Sequence, residues 1–292
     1  MILIGENLNI ISKTLGPALK EKDPKPIQEM AIAQDKAGID YIDLNIGPAR
    51  RGGEELMEWV VKTVQEVTEK PLSLDTTNLA AMEAGLNVCK NPVLINSISL
   101  QPARLEKGLP MSRNHNADMI GLLWGVDGMP RDANERAILA VDIVYKAGEM
   151  GIPTEKIWID PIASPISVEI NQVKSCVEFM GMLADIAPGS KSTVGLSNIS
   201  NGTPEELRPP LNRCYMIMLE RNGLYSAIAD AFDEELMAIA RGKMPEIVDL
   251  VHRVMDGEKP DMASLSAKEK EYVKTARVLM GETLYSHSWL EI

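Results

Sequence analysis

At 292 residues with a formal net charge of −12, the chain is long enough for one large domain, and it has no Lys/Arg stripe of the kind a phosphate-backbone partner needs. Its 45% hydrophobic and 25% charged residues fit an ordinary globular protein, and with aromatics at only 4% the core must be built from Ile, Leu, Val, Ala and the 17 Met. No 18-residue apolar run is present and the opening Met-Ile-Leu-Ile-Gly-Glu reads as a strand, so neither a membrane span nor a secretory leader is expected and a cytoplasmic location is.

From the N-terminus, strand-like and helix-like segments alternate every 30 residues or so, at about one strand–helix unit per repeat. Ile2–Ile4 opens as a short strand. The spacing predicts a helix over Pro26–Gly38, with the proline in the first turn and the glycine as its stop. A strand over Ile39–Ile46, a helix over Glu54–Glu69, a strand over Pro71–Asp75, a helix over Leu79–Cys89 and a strand over Val93–Ile98 follow. Residues 103–116 are weakly helical. Met119–Trp124 is the fifth strand and Asp132–Met150 the clearest helix. Ile157–Asp160, Gln172–Ile186, Thr193–Leu196, Leu211–Gly223 and Ala227–Ala229 complete eight strands alternating with helices. That count favours a (β/α)8 barrel, a TIM barrel, over an open doubly wound sheet, whose Gly-rich fingerprint after the first strand is missing. The rest is helical: Glu234–Arg241, then Glu246–Met255 after a Gly242-Lys-Met-Pro245 break, then Ser266–Thr283 with Ser266 and Glu269 as a capping box. The whole chain reads as one barrel domain over 1–292, with 241–270 an insertion near the final barrel helix that packs on the barrel or serves a dimer.

Five of the apolar runs end on Asp or Asn: Ile-Asp-Leu-Asn at 42–45, Leu-Asp at 74–75, Ile-Asn at 95–96, Ile-Asp at 159–160 and Ser-Asn at 197–198. An unpaired amide costs about 2–7 kcal/mol to bury, and an ionised carboxylate far more. Strand ends of a parallel barrel converge on one face, so five such residues imply one shared pocket. Asp75, Asn96 and Asp160 form its strongest set: two carboxylates and an amide complement a flat heterocycle bearing an amino group, a ring N–H and a carbonyl. Mg²⁺ or Ca²⁺ ligation and plain helix capping are the competing uses of the same groups. Asn198 follows Gly195-Leu196-Ser197, where the glycine allows a close backbone approach. Asp43 and Asn45 share a face at period two, Glu6 and Asn9 after the first strand can join them, and Arg213 is the candidate pocket cation. Cys89, Cys176 and Cys214 are too scattered for a disulfide framework or a zinc cluster, and His115, His252 and His287 have no metal-ligand spacing.

Gly5-Glu6 with Asn9, Asp43-Leu44-Asn45-Ile46-Gly47-Pro48, Leu74-Asp75-Thr76-Thr77-Asn78, Ile95-Asn96-Ser97, Ile159-Asp160-Pro161 and Gly195-Leu196-Ser197-Asn198 resemble, in order and spacing, the pterin-binding barrel superfamily. Within it the chain looks like the methyltetrahydrofolate:corrinoid protein methyltransferases of anaerobic one-carbon metabolism, from residue 1 to about 240 and again near Tyr272–Trp289. The resemblance implies a homodimeric enzyme that moves a methyl group between N5 of methyltetrahydrofolate and the cobalt of a corrinoid, in acetyl-CoA synthesis or in O-demethylation. It implies that Asp75, Asn96 and Asp160 hold the pterin ring, that Gly195, Ser197, Arg213, Glu6, Asn9, Asp43 and Asn45 line the same site, and that Asn198 reaches N5. Two departures stand out: Asn7 replaces the arginine common after the first Glu, and residues 242–270 exceed the shorter relatives. None of the three histidines follows an Asp by two positions, so the corrinoid should arrive on a separate protein, and no intrinsic metal is expected. Dihydropteroate synthase is the alternative within the superfamily, but it needs a Lys after strand seven and a late Ser-x-Arg, where this chain has Asn201-Gly202-Thr203 and Ala227-Ile228-Ala229-Asp230. A non-catalytic pterin-barrel subunit of a corrinoid assembly is the alternative from another class.

Overall fold

The computed structural model describes residues 1–291. Eight parallel strands alternate with helices: β1 Ile2–Asn9, α1 Leu15–Glu21, α2 Pro24–Ala37, β2 Tyr41–Asn45, α3 Gly53–Gln65, β3 Leu72–Asp75, α4 Leu79–Val88, β4 Val93–Ser99, α5 Pro102–His115, β5 Asp118–Leu122, α6 Ala133–Glu149, β6 Ile157–Asp160, α7 Ile170–Ile186, β7 Lys191–Ser192, α8 Arg208–Arg221 and β8 Ser226–Ala229. The sheet runs β7-β6-β5-β4-β3-β2-β1-β8, and a bridge between Gly195 and Ile228, with the Ile228 N–H donating to the Val194 carbonyl at 2.8 Å, joins its two edges. The expected (β/α)8 barrel is therefore present. Beyond it, α9 Glu234–Ala240, α10 Pro245–Met255 and α11 Ala267–Leu279 follow, with α10 and α11 packed on α8 and on each other. No helix among the described residues is long and apolar enough to cross a membrane.

The strands are short runs of Ile, Leu and Val because their outward residues are wholly buried under the helices. Leu3, Ile42, Leu44, Leu72, Leu74, Ile95, Met119, Ile157 and Ile159 belong to this large outer core, together with Met57, Met82 and Met216 from the helices. A second, small cluster fills the barrel itself: Ile4, Leu94, Ile120, Trp158 and Ile228. Their positions set the inward phase of each strand, and at period two the residues above them are Glu6, Asn96, Leu122, Asp160 and Asp230. The apolar layer is a floor, and the polar strand ends stand on it.

Helix ends follow their local chemistry. Asp23 caps α2 through the Lys25 N–H at 3.2 Å, so the helix starts at Pro24, two residues before the expected Pro26, and Gly38 stops it at φ +89°. The capping box of Ser266 and Glu269 forms as expected. Three expectations need correction. Strand one does not stop at Ile4: it continues to Asn9 through a bulge between Gly5 and Leu8, so Glu6 and Asn9 lie within it. The seventh strand is only Lys191–Ser192, and Leu196–Ser200 is a 3-10 turn, so Asn198 sits on a turn above the strand end. Helix α1 has no counterpart in the expected series, because seven residues with Gly16 and Pro17 inside show too little periodicity to read.

Candidate functional site

The strand register assembles the mouth. Asn9 pairs with Asn45, Asn45 with Asp75, Asp75 with Asn96, and Leu122 with Asp160, so these residues stand side by side around one ring. Without the bulge, Glu6 and Asn9, three apart, could not both face the barrel axis; the extra residue, Asn7, reaches across to the end of β8, donating to Asp230 at 2.8 Å and accepting from the Ala231 N–H at 3.0 Å. Asn7 is the position where the family often has arginine, and here it ties β1 to the end of β8.

Asn45 donates its amide to Asp75 and accepts from the Gly47 N–H at 2.9 Å. Asp43, one layer below, accepts from Ser73 Oγ at 2.6 Å and from Asn96 Nδ2 at 3.1 Å. That fixes the Asn96 amide with its oxygen turned away from the carboxylate. Asp160 accepts the Ile162 N–H at 2.8 Å through Oδ1. Ser197 Oγ donates to Glu6. Neither Asp75 nor Asp160 caps a helix: the α4 cap is Asn78, which accepts from the N–H groups of Ala80 and Ala81. Asn9 spends its side-chain oxygen on a local turn, accepting from Ile11 N–H at 3.0 Å.

Asn198 is oriented by its neighbours. Its side-chain oxygen accepts from Asn201 Nδ2 at 3.3 Å, which leaves its own Nδ2 to act as a donor. That nitrogen lies over Gly195, where a Cβ would come within 3.0 Å of it. Glycine at 195 thus leaves room for the close approach of the Asn198 amide, and its φ is not positive.

Burial raises every carboxylate in this group. Glu6 is pushed up to about 7 by desolvation, with Asp230 and Asp43 adding to it. Asp43 and Asp160 are pushed up to about 6, chiefly by desolvation, and Asp75 rises well above its usual range by desolvation and the nearby Asp43. Several buried acids at one barrel mouth, held up in pKa by burial, make this mouth the candidate site. Among the described residues no three of His, Cys, Asp or Glu are grouped closely enough to hold a metal ion.

Arg213, expected as the pocket cation, is engaged elsewhere. Its guanidinium donates to both oxygens of Asp233 at 2.8 and 2.9 Å and lies 3.3 Å from Glu235, at the acidic start of α9. The cations that touch the mouth are Arg104, bonded to the carbonyls of Thr77 and Ser97, and Arg208, bonded to Ser200 Oγ at 3.1 Å and the Ser197 carbonyl at 3.4 Å. Arg104 braces the end of the strand that carries Asn96, and Arg208 the turn that carries Asn198. Sequence reading missed them: Arg104 falls in the weakly helical 103–116 segment, and Arg208 precedes two prolines where a helix start was expected at Leu211. Asn201 was missed as well, though its spacing of three from Asn198 in a short turn was visible.

The barrel and its polar mouth define a class, and the comparisons agree with it. The family model described as pterin binding enzyme matches residues 8–228, and the chain belongs to that family. Within it, the chain is 30% identical over 239 residues to the methylcorrinoid:tetrahydrofolate methyltransferase of Eubacterium limosum, an alignment covering 81% of this chain and 88% of that relative. It is 26% identical over 242 residues to the methionine synthase of Mycobacterium tuberculosis, spanning 79% of this chain but 20% of that larger protein. Among solved structures, dihydropteroate synthases share the fold: those of Xanthomonas albilineans and Thermus thermophilus superpose with TM-scores of 0.62 and 0.61 at 16% and 19% identity, each over 84% of this chain and 92% and 93% of theirs.

Proposed function

We propose that this chain transfers a methyl group between N5 of a reduced folate and the cobalt of a corrinoid carried by a separate protein. The observation that carries the reading is the Asn198 amide, with its oxygen occupied by Asn201 and its nitrogen free to donate at the rim of an acceptor-lined pocket. The 30% identical relative, a methylcorrinoid:tetrahydrofolate methyltransferase, supports the same class of reaction.

Asp75, Asn96 and Asp160 hold the pterin. Their spare oxygens accept the amino and ring N–H groups, and burial makes each such bond worth more than in water. When the N5–CH3 bond breaks, its electron pair stays on N5, which takes up one proton to become N5–H, and the methyl carbon bonds to cobalt, which supplies the new pair. A tertiary amine is a poor leaving group, so a donor whose bond to N5 strengthens as the pair localises there lowers the barrier. Asn198 Nδ2 is that donor. Glu6, near half-protonated at neutral pH, can hold a proton beside the Ser197–Asn198 turn. In the reverse direction the N5 lone pair takes the methyl group, N5 gives up its proton, the Co–C pair stays on cobalt, and the same contacts apply. No side chain needs to attack, and the thiols fit that: desolvation pushes the half-buried Cys89 and the buried Cys176 up to about 11, keeping them protonated. The partner presents its corrinoid at the strand C-terminal face, where the site opens.

The test is to mix the purified chain with methyltetrahydrofolate and cob(I)alamin and follow the loss of the Co(I) absorbance. Transfer is expected. Folate binding without transfer would favour a non-catalytic subunit, and no affinity for reduced folates would refute the reading.

A further inference from the structure

Arg136, on α6, is wholly buried, and among the described residues it has no carboxylate within ion-pair distance. A buried guanidinium held only by neutral groups is expensive. Its bonds are specific: Nε donates to the Pro161 carbonyl at 2.8 Å, Nη1 to Ser175 Oγ at 2.7 Å and the Asp132 carbonyl at 3.3 Å, and Nη2 to Gln172 Oε1 at 2.7 Å. Gln172 in turn donates to the carbonyls of Pro130 and Arg131 at 3.1 and 3.0 Å. One side chain thus joins the loop before α6, helix α7 and the Asp160-Pro161-Ile162 turn.

That turn is strained. Ile162, a β-branched residue, has φ +66°, a conformation it holds only under outside constraint. Two bonds impose it: Ile162 N–H to Asp160 Oδ1, and Arg136 to the intervening Pro161 carbonyl. With Oδ1 occupied, Asp160 keeps Oδ2 for a ligand.

We propose that Arg136 is the positioning residue of Asp160: it locks the 160–162 turn from behind and supplies the positive charge that keeps the Asp160 carboxylate ionised and able to accept from a pterin. The inference rests on the reading of Asp160 as a pterin anchor. The other titratable groups facing the pair are the Cys176 thiol of α7 and the Tyr215 hydroxyl of α8, both held protonated by burial, so Arg136 is the one charge facing Asp160 from the helix layer.

The experiment titrates the Asp160 carboxyl in the unliganded full chain by carbon-13 NMR of labelled aspartate, with Asp160→Asn to assign the resonance. A midpoint near 6 is expected for the unaltered chain. Arg136→Gln should raise it by about one unit, whereas Arg136→Lys, which keeps the charge, should leave it in place and weaken folate binding several-fold because an ammonium cannot span Pro161, Ser175 and Gln172. Equal midpoints in all three proteins overturn the proposal. Should Arg136→Gln fail to fold, Ser175→Ala and Gln172→Leu each free one arm of the guanidinium. They should weaken folate binding several-fold in the unaltered chain and not at all in Asp160→Asn. A full loss in that background overturns the proposal too. Because the titration uses no ligand, it reads the Arg136–Asp160 link even if folates do not bind.

Discussion

The two ends of the same barrel handle polar residues in opposite ways. At the N-terminal end of the strands, below the apolar floor, Lys191 lies 3.1 Å from Asp118 and over the rings of Trp158 and Tyr225, at 5.0 and 5.5 Å from their centroids. Trp158 donates to the same Asp118 at 2.9 Å and meets Tyr41 edge-on at 5.4 Å. Asp118 there takes both the Lys191 ammonium and the Trp158 indole N–H. At the C-terminal end, four carboxylates share only hydroxyl, amide and backbone donors, and all four are pushed up in pKa by burial. The lower end is closed by its own opposite charges, whereas the upper end keeps carboxylate oxygens, such as Asp160 Oδ2, with no hydrogen-bond partner among the described residues.

The largest expected difference between the ends is catalytic. Asn198→Ala should lower turnover by about 10²–10³-fold, the range seen on losing one transition-state donor, with methyltetrahydrofolate affinity within a few-fold of normal. Steady-state kinetics beside a calorimetric titration checks this; equal losses in both would make Asn198 a binding residue only. Asp160→Ala should show the reverse split, with affinity reduced by about 30–100-fold from losing a charged hydrogen-bond acceptor and turnover at saturation less affected. Near-normal affinity would contradict the anchor role.

A third prediction sets function against stability. The folded pKa values of Asp43, Asp160 and Glu6 lie above those of free carboxyls, so the native state binds more protons than the unfolded chain across the window between. Their contribution is therefore full below about pH 4, where even free carboxyls are protonated, and is lost as pH rises through about 6 to 7. Asp160→Asn should remove its share of that loss: at pH 8 the unliganded variant should be more stable than the unaltered chain, by on the order of 1–3 kcal/mol in urea unfolding, while binding folate more weakly. A variant equally stable at pH 5 and pH 8 relative to the unaltered chain would break the contrast. Lastly, Lys191→Met at the lower end should cost about 1–2 kcal/mol of stability, from a half-exposed ion pair and two cation–π contacts, with folate affinity unchanged. A change in affinity there would mean the floor does not separate the two ends.

Much of this was legible along the chain. Strands two to six and eight, and helices α2 to α4 and α6 to α9, were placed within a few residues by their periodicity and their flanking breaks, while α5 showed only as a weakly helical stretch. The polar strand ends Asp75, Asn96 and Asp160 stood out because an acid or amide closing an apolar run has no packing reason to be there. Arg213 misled because a cation early in a helix after the seventh strand looks like a pocket group, and only packing against Asp233 and Glu235 reveals its use. Arg104, Arg208 and Arg136 look from sequence like any surface arginine, since what distinguishes them is the neighbours they meet from other elements.

Sequence alone determined the alternation of elements, the barrel class and the ring of acids and amides, all of which arise from spacing along the chain. Tertiary structure decided what no local pattern encodes. The bulge that turns both Glu6 and Asn9 inward depends on pairing with β2, and the approach of the Asn198 amide onto Gly195 depends on how a turn folds back over its strand. The clamp of Arg136 behind Asp160 joins three segments far apart in sequence. Contacts of that kind become visible only once the sheet has closed, because their energy comes from groups that the chain order keeps apart.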